Sequence, residues 1–341
     1  MNLRNETKNP RARVLLDLGL EAMREYQDSG GNLAVLDEAE GDLNAAVEAD
    51  PDFLPALYFR GITRDLKGES DAAIADLERV VKSEPTFIEA RFNLGVACFH
   101  KYHAQNLKRA ESEFKVVLSD KDLSEGLRLQ ALASLAQTRA QLMIQREPDR
   151  VDSHAVKSQL TEVLEIAGGV QQELEGKTTD PQVAWRLENA VGLGLMFASD
   201  YLDWFYDKNG TALPRPKMLD LALKGFTEAD QINPGNWAVV CNLGSIWMRG
   251  AYWERKKQAS LGDNAFQNSF DYLSRVVDVL RPNYGFALYE IGRLHRLTGR
   301  FDGAVEWFRK AEAVPESKRD VRLDTLQREI NLAKAESDQF P

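Results

Sequence analysis

Much that would announce a chemistry is missing from this chain. It has two cysteines and four histidines in 341 residues, too few for a disulfide framework or a zinc ribbon. No Gly-x-Gly-x-x-Gly follows a strand pattern, and no Gly-rich loop ends in Lys-Ser/Thr, so neither dinucleotide nor phosphate binding has a motif to stand on. A zinc-protease helix signature and a Gly-x-Ser-x-Gly elbow are missing too. The reading is therefore non-enzymatic, with no catalytic residue, cofactor or metal expected.

Long apolar runs are also lacking. No uninterrupted stretch approaches membrane-spanning length, and the start, "MNLRNETKNPRARVLLDLGL", has no apolar core of signal-peptide type. Cys98 and Cys241 both fall in apolar helical patterns, which reads as two small buried thiols in a reducing compartment. The expectation is a cytoplasmic protein without membrane insertion. Positive charge is in deficit: 43 basic side chains face 53 acidic ones, a net charge of −10. Such a surface repels a phosphate backbone, so nucleic acid is disfavoured as a partner. The local exception is "RGAYWERKK", where Arg249, Arg255, Lys256 and Lys257 meet a single acid, Glu254.

What the chain does have is helical periodicity almost throughout. "SDAAIADLERVV" sets Ala73, Ile74, Leu77, Val80 and Val81 on one face, and Leu326, Ile330 and Ala333 repeat the pattern near the C-terminus. No alternating β-branched run marks a strand, so an all-α fold is predicted. The helical pattern also repeats. Gly61 and Gly95 are 34 residues apart, as are Pro51 and Pro85. One unit carries Leu57, Gly61, Ala73, Leu77, Val80 and Pro85; another carries Leu288, Ile291, Gly292, His295, Ala304, Phe308 and Ala311. In each, Gly precedes Ala by twelve residues and a second Gly (Gly68, Gly299) stands at the turn.

That period and pattern resemble the tetratricopeptide repeat. The small residues let two helices approach closely, bulky Leu77 and Phe308 fill the space beside them, and Pro ends the second helix. The resemblance implies a right-handed superhelical solenoid of about seven helix hairpins. Regular repeats are expected near 54–87 and 285–317, and stretched hairpins near 11–51, 184–234 and 237–282. In the stretched units Gly19, Gly194 and Gly244 are matched with Ala39, Ala222 and Ser269. The array would run over 11–317, preceded by a tail at 1–10. A capping helix with its tail would occupy 318–341 and cover the last apolar face. The insertion holding "DKNGTALPRPK" reads as a loop.

Two copies of Asn-Leu-Gly, at Asn93 and Asn242, fall at the same repeat position, two residues before the packing glycine. The resemblance implies that first helices line a concave surface and that an Asn there holds an extended peptide's backbone. An amide offers donor and acceptor together, but each Asn is equally a candidate for bonding to its helical neighbours. The same alignment puts Tyr58, Phe59, Phe92, Phe99 and Tyr289 on inner helices, as pocket walls or as core. Arg249, Arg293 and Arg296 form a trio suited to an acidic segment, or a solvated face with partners such as Glu290. The lysines of the family's carboxylate grip are missing from the matching places. "CFHKYH" groups Cys98, His100 and His103 but supplies too few ligands for a metal.

Two aromatic inserts complete the inventory. One holds Trp204 and Tyr206, the other Tyr252 and Trp253; they either dock a partner or pack on each other. Three functions follow as expectations. The first is an adaptor binding an extended, acidic segment in the concave groove. The second is a regulatory subunit docking a folded enzyme through the aromatic hairpins. The third, disfavoured, is RNA binding at the basic patch. The partner in the first two is a protein or peptide.

Overall fold

The computed structural model describes residues 7–28, 33–101, 103–144, 152–175, 180–207, 209–256, 264–315, 319 and 321–339. Lys257 of the basic patch, most of the N-terminal tail and residues 318, 320, 340 and 341 lie outside them. The chain forms two compact units, 1–138 and 139–341.

In the first unit the helices are α1 (Pro10–Asp28), α2 (Leu33–Ala49), α3 (Leu54–Leu66), α4 (Ser70–Ser83), α5 (Ile88–His100) and α6 (Ala104–Leu118). They pair as α1/α2, α3/α4 and α5/α6. Helix α7 (Glu125–Ile144) crosses the division. The second unit continues with α8 (Ser153–Glu173), α9 (Pro181–Tyr201), α10 (Arg215–Ile232), α11 (Trp237–Arg255), α12 (Ala265–Arg275), α13 (Gly285–Leu297), α14 (Phe301–Glu312) and α15 (Leu323–Gln339). Here α9/α10, α11/α12 and α13/α14 pair, and Arg139 on α7 bridges to Glu162 on α8 at 3.0 Å.

One contact recurs in six hairpins. A glycine on the first helix faces a bulky, fully buried side chain on the second: Gly19 with Leu43, Gly61 with Leu77, Gly95 with Phe114, Gly192 with Phe226, Gly244 with Leu273 and Gly292 with Phe308. A methyl group at any of these glycines would lie 2.5–2.8 Å from that side chain, inside van der Waals contact. The glycine therefore sets the helix separation. At the α9/α10 hairpin this corrects the sequence alignment: Gly192 meets Phe226, whereas Gly194 faces Leu160 on α8. Two glycines two residues apart, on different faces of one turn, serve two neighbouring helices.

Turns obey local chemistry. Gly68 and Gly299 have φ of +80° and +84°, a left-handed conformation that glycine adopts without strain. Second helices end two residues before Pro51, Pro85 and Pro234, because a residue preceding proline is pushed out of helical geometry. Asp152, Asp180 and Asn236 cap α8, α9 and α11 by accepting backbone N–H bonds.

The strictly all-α expectation needs one amendment. Between α9 and α10 the predicted loop is an antiparallel β-hairpin, β1 (Trp204–Tyr206) and β2 (Ala212–Pro214), with Phe205 opposite Leu213. The Asp207 carboxylate ties its turn by accepting from the N–H groups of Asn209 (2.9 Å) and Thr211 (2.8 Å), and Gly210 takes φ +76°. At the C-terminal end, Leu326, Ile330 and Ala333 of α15 are buried against the last hairpin, in one cluster with Ala304 and Phe308. Among the described residues no helix is long and apolar enough to cross a membrane.

Candidate interaction surfaces

The two Asn-Leu-Gly copies do the same thing. Asn93 Nδ2 on α5 donates to Tyr58 Oη on α3 at 2.8 Å, and Asn242 Nδ2 on α11 donates to Asn189 Oδ1 on α9 at 2.8 Å. Tyr58 and Asn189 each stand three residues before the packing glycine of their own helix, Gly61 and Gly192. Each bond thus joins one first helix to the first helix before it. Asn93 Nδ2 also donates to the Glu89 carbonyl at 3.0 Å. Burial first, and then the Glu89 charge, push the Tyr58 hydroxyl up to about 12 against the opposing Asn93 bond, so it stays protonated. Each Nδ2 is thus engaged inside the fold, and among the described residues no bond takes up either Oδ1.

The arginine trio is bound internally. Arg249 on α11 holds the Asp200 carboxylate of α9, Nε to Oδ2 and Nη2 to Oδ2 both at 2.9 Å. Arg293 pairs with Glu290 at 2.7 Å, and Ser245 Oγ donates to the other Glu290 oxygen at 2.9 Å. Glu290 is only 1% exposed. Burial alone would raise its carboxyl, but Arg293 and Arg249 more than offset this and hold it below its ordinary range. Arg296 reaches across to α15, pairing with Glu329 and Glu336, each at 2.9 Å. Arg249 and Arg296 thus join neighbouring helices, where a charge-assisted bond fixes register, while Arg293 holds Glu290 within α13 and Ser245 ties that carboxylate to α11.

Most of the aromatic candidates are packed within the hairpins. Tyr58, Phe92 and Phe99 are buried and Phe59 and Tyr289 half-buried. Tyr58 meets Phe59 and Phe87 edge-on; Phe92 lies 5.7 Å from Phe114 and Tyr289 5.8 Å from Phe308. Tyr252 and Trp253 are half-buried neighbours, and the Arg215 guanidinium sits 3.9 Å from the Trp253 ring centroid. Trp204 and Tyr206 differ: they are 55% and 54% exposed, side by side at 5.4 Å.

Their exposure follows from strand alternation. Trp204 and Tyr206 share one face of β1, and Phe205 between them turns inward and is buried. The strand pair is anchored at its base by Arg215. Its Nε donates to the Ser199 carbonyl (2.7 Å), and its guanidinium pairs with Asp203 (2.8 Å). Beneath the inner face lies a cavity of about 390 Å³ between α8, α9 and α10. Leu164, Val191, Leu195, Phe205, Leu213 and Leu221 form its apolar walls; Glu165, Glu188, Asp207 and Glu228 stand around it. Sequence reading missed both hairpin and cavity, although Asn209-Gly210 between "WFY" and "TALP" is a hairpin signal.

Elsewhere the chemistry is sparse. His100 pairs with Asp65 at 3.0 Å, and both cysteines are free and buried, with burial pushing the Cys98 thiol up to about 11. Among the described residues no group of three or more His, Cys, Asp or Glu side chains could hold a metal.

Comparison with known proteins agrees with this architecture. The tetratricopeptide repeat family matches at residues 67–122 and 268–318, which take in α4–α6 and much of α12–α14. Among solved structures, a tetratricopeptide repeat protein from Parabacteroides merdae ATCC 43184 aligns with a TM-score of 0.52 at 13% identity, over 94% of this chain and 99% of that one. The Cut9–Hcn1 hetero-tetramer of the APC/C aligns with a TM-score of 0.50 at 14% identity, over 94% of this chain and 52% of that one. No curated protein matches the chain in sequence. The chain therefore carries tetratricopeptide repeats in these two segments and has the helix-hairpin fold of that repeat, a fold that serves generally as a scaffold for protein interaction.

Proposed function

We propose that the chain is a protein-interaction scaffold that docks a folded partner through the β-hairpin between α9 and α10. The observation that carries this reading is the outward pair Trp204 and Tyr206, held exposed on a hairpin whose base is fixed by Arg215. Large exposed Trp and Tyr rings side by side are the anchor type that dominates interface energetics. By contrast, Arg249, Arg293 and Arg296 already have carboxylate partners, so an acidic peptide would have to compete with bonds inside the fold.

A second reading keeps the peptide-binding role on the first helices. Asn93 and Asn242 would offer Oδ1 as acceptors for a peptide N–H, and Phe59 and Tyr289 are half-buried rings on first helices of units one and two. Affinity purification from the source cell with quantitative mass spectrometry separates the two. Docking at the hairpin predicts a partner whose recovery falls at least tenfold in Trp204→Ser/Tyr206→Ser and persists in Asn93→Ala/Asn242→Ala. The reverse pattern supports the peptide groove and removes the hairpin reading.

A further inference from the structure

We infer that the cavity beneath the hairpin is a second contact site, which takes a basic segment with flanking apolar side chains from the docked protein. The inference rests on the hairpin reading, because the same strand that presents Trp204 and Tyr206 outward forms one wall of the cavity through Phe205. Its volume, about 390 Å³, lies within the range of ligand-binding clefts. That is room for roughly two or three side chains, not for a folded element.

Charge decides the occupant. Four carboxylates, Glu165, Glu188, Asp207 and Glu228, border the cavity against one cation, Lys224, which pairs with Glu228 at 3.5 Å. Among the described residues no ion pair reaches Glu165 or Glu188, and Glu188 accepts a bond from Gln171 at 3.2 Å instead. By contrast, Asp200, Glu290 and Glu329 elsewhere in unit two each have an arginine. Burial, and then the neighbouring Glu228, push the Glu188 carboxyl up against the smaller pull of the Gln171 bond and Lys224: two carboxylates face each other at this edge and one lysine offsets them only in part. A guanidinium or ammonium group between Glu188 and Glu228 would relieve that repulsion. Its methylene stem, and an apolar neighbour in the bound segment, would cover Leu221, Val191 and Leu195. An acidic segment or a phosphate chain would meet like charge and is rejected.

Gly225 lines the cavity, and a methyl group there would lie 2.9 Å from the Glu188 carbonyl, so α10 approaches the α9 backbone closely at this edge and holds Glu188 beside the cleft.

The test is a displayed library of random octapeptides panned on the full chain. The expected enrichment is Arg or Lys flanked by Leu, Ile or Phe. For the strongest peptide, made synthetically, Kd should rise about tenfold in Glu188→Gln/Glu228→Gln and weaken as salt is raised. Leu221→Arg, which places a cation at the wall, should abolish binding. The Gln pair is isosteric and removes repulsion, and an unchanged circular dichroism spectrum with a melting temperature no lower than wild type will show that it folds. Trp204→Ser/Tyr206→Ser should leave the peptide Kd within twofold, since those rings face away. Failure to enrich, enrichment of acidic peptides, or a Kd indifferent to the Gln pair overturns the inference. Loss of the native partner in the Trp204/Tyr206 variant would still uphold the docking reading in that case, so the two stand or fall separately.

Discussion

A single methyl group separates the glycines that set helix spacing from those that merely occupy a helix. At Gly292 an added methyl meets the buried Phe308 ring at 2.5 Å, while at Gly41, exposed in the middle of α2, it meets nothing within 4 Å. Gly292→Ala should therefore cost about 1–3 kcal/mol through overpacking, and Gly41→Ala should gain about 0.5–1 kcal/mol through helix propensity. Urea midpoints of the two variants should move in opposite directions. Glu290 gives a second residue-scale expectation. Its folded-state carboxyl lies below the ordinary value of 4.5, so its stabilisation is fully present above that value and is lost as pH falls through the depressed one. Glu290→Ala should cost about 3–5 kcal/mol at neutral pH, because it strands Arg293, and the deficit relative to wild type should shrink as pH falls below the ordinary carboxylate range. At this scale the sequence was informative where the repeat is self-consistent: Gly61 with Leu77 and Gly292 with Phe308 could be paired from the repeat motif that the chain resembles. It misled at Gly194, because two glycines at i and i+2 serve different neighbours and spacing cannot tell which faces which. The partners of Arg249 and Arg296 were hidden for a related reason. Asp200 and Glu329 come from other repeats, and no local pattern links them.

Among the elements, the hairpin between α9 and α10 has the least support of its own, with two strands of three residues each. Isolated two-strand ribbons are marginal in water, so this one depends on its anchors. Arg215 supplies several: bonds to the Ser199 carbonyl and the Asp203 carboxylate, and a face-on contact with Trp253. Arg215→Ala removes them together and should cost about 1–2 kcal/mol. The Trp253 ring would become wetter, shifting tryptophan emission to the red, and amides of β1 and β2 should exchange faster while those of α13 and α14 do not change. Unaltered emission and exchange would mean that the hairpin is held by its inner face alone, through Phe205 and Leu213. The helices were legible because each repeats its apolar stripe over three or more turns. Three-residue strands give no period to detect, and the only advance sign was Asn209-Gly210. The cavity was less visible still, since its walls come from α8, α9, α10 and both strands, separated by up to 67 positions between Thr161 and Glu228.

At the scale of the whole molecule, stability in a tetratricopeptide array is close to a sum of hairpins and their neighbour contacts. The end of such an array is therefore a defined weak point. Helix α15 covers it: Leu326 and Ala333 are fully buried and Ile330 nearly so, in one cluster with Phe308 and Ala304, while Glu329 and Glu336 hold Arg296 on α13. Burying a Leu or Ile side chain is worth about 1.5–3 kcal/mol. A chain ending at Pro315 would lose two such side chains and expose their partners on α14. The last hairpin should lose roughly 3 kcal/mol or more of local stability, or about a hundredfold in amide protection. The loss should decay along the array, strong in α13 and α14, weaker in α11 and α12, and undetectable in α1–α6. Hydrogen exchange of the shortened chain reads each of these directly. A parallel loss of protection in α1–α6 would instead reveal one cooperative transition over both units, and stability could then no longer be assigned hairpin by hairpin.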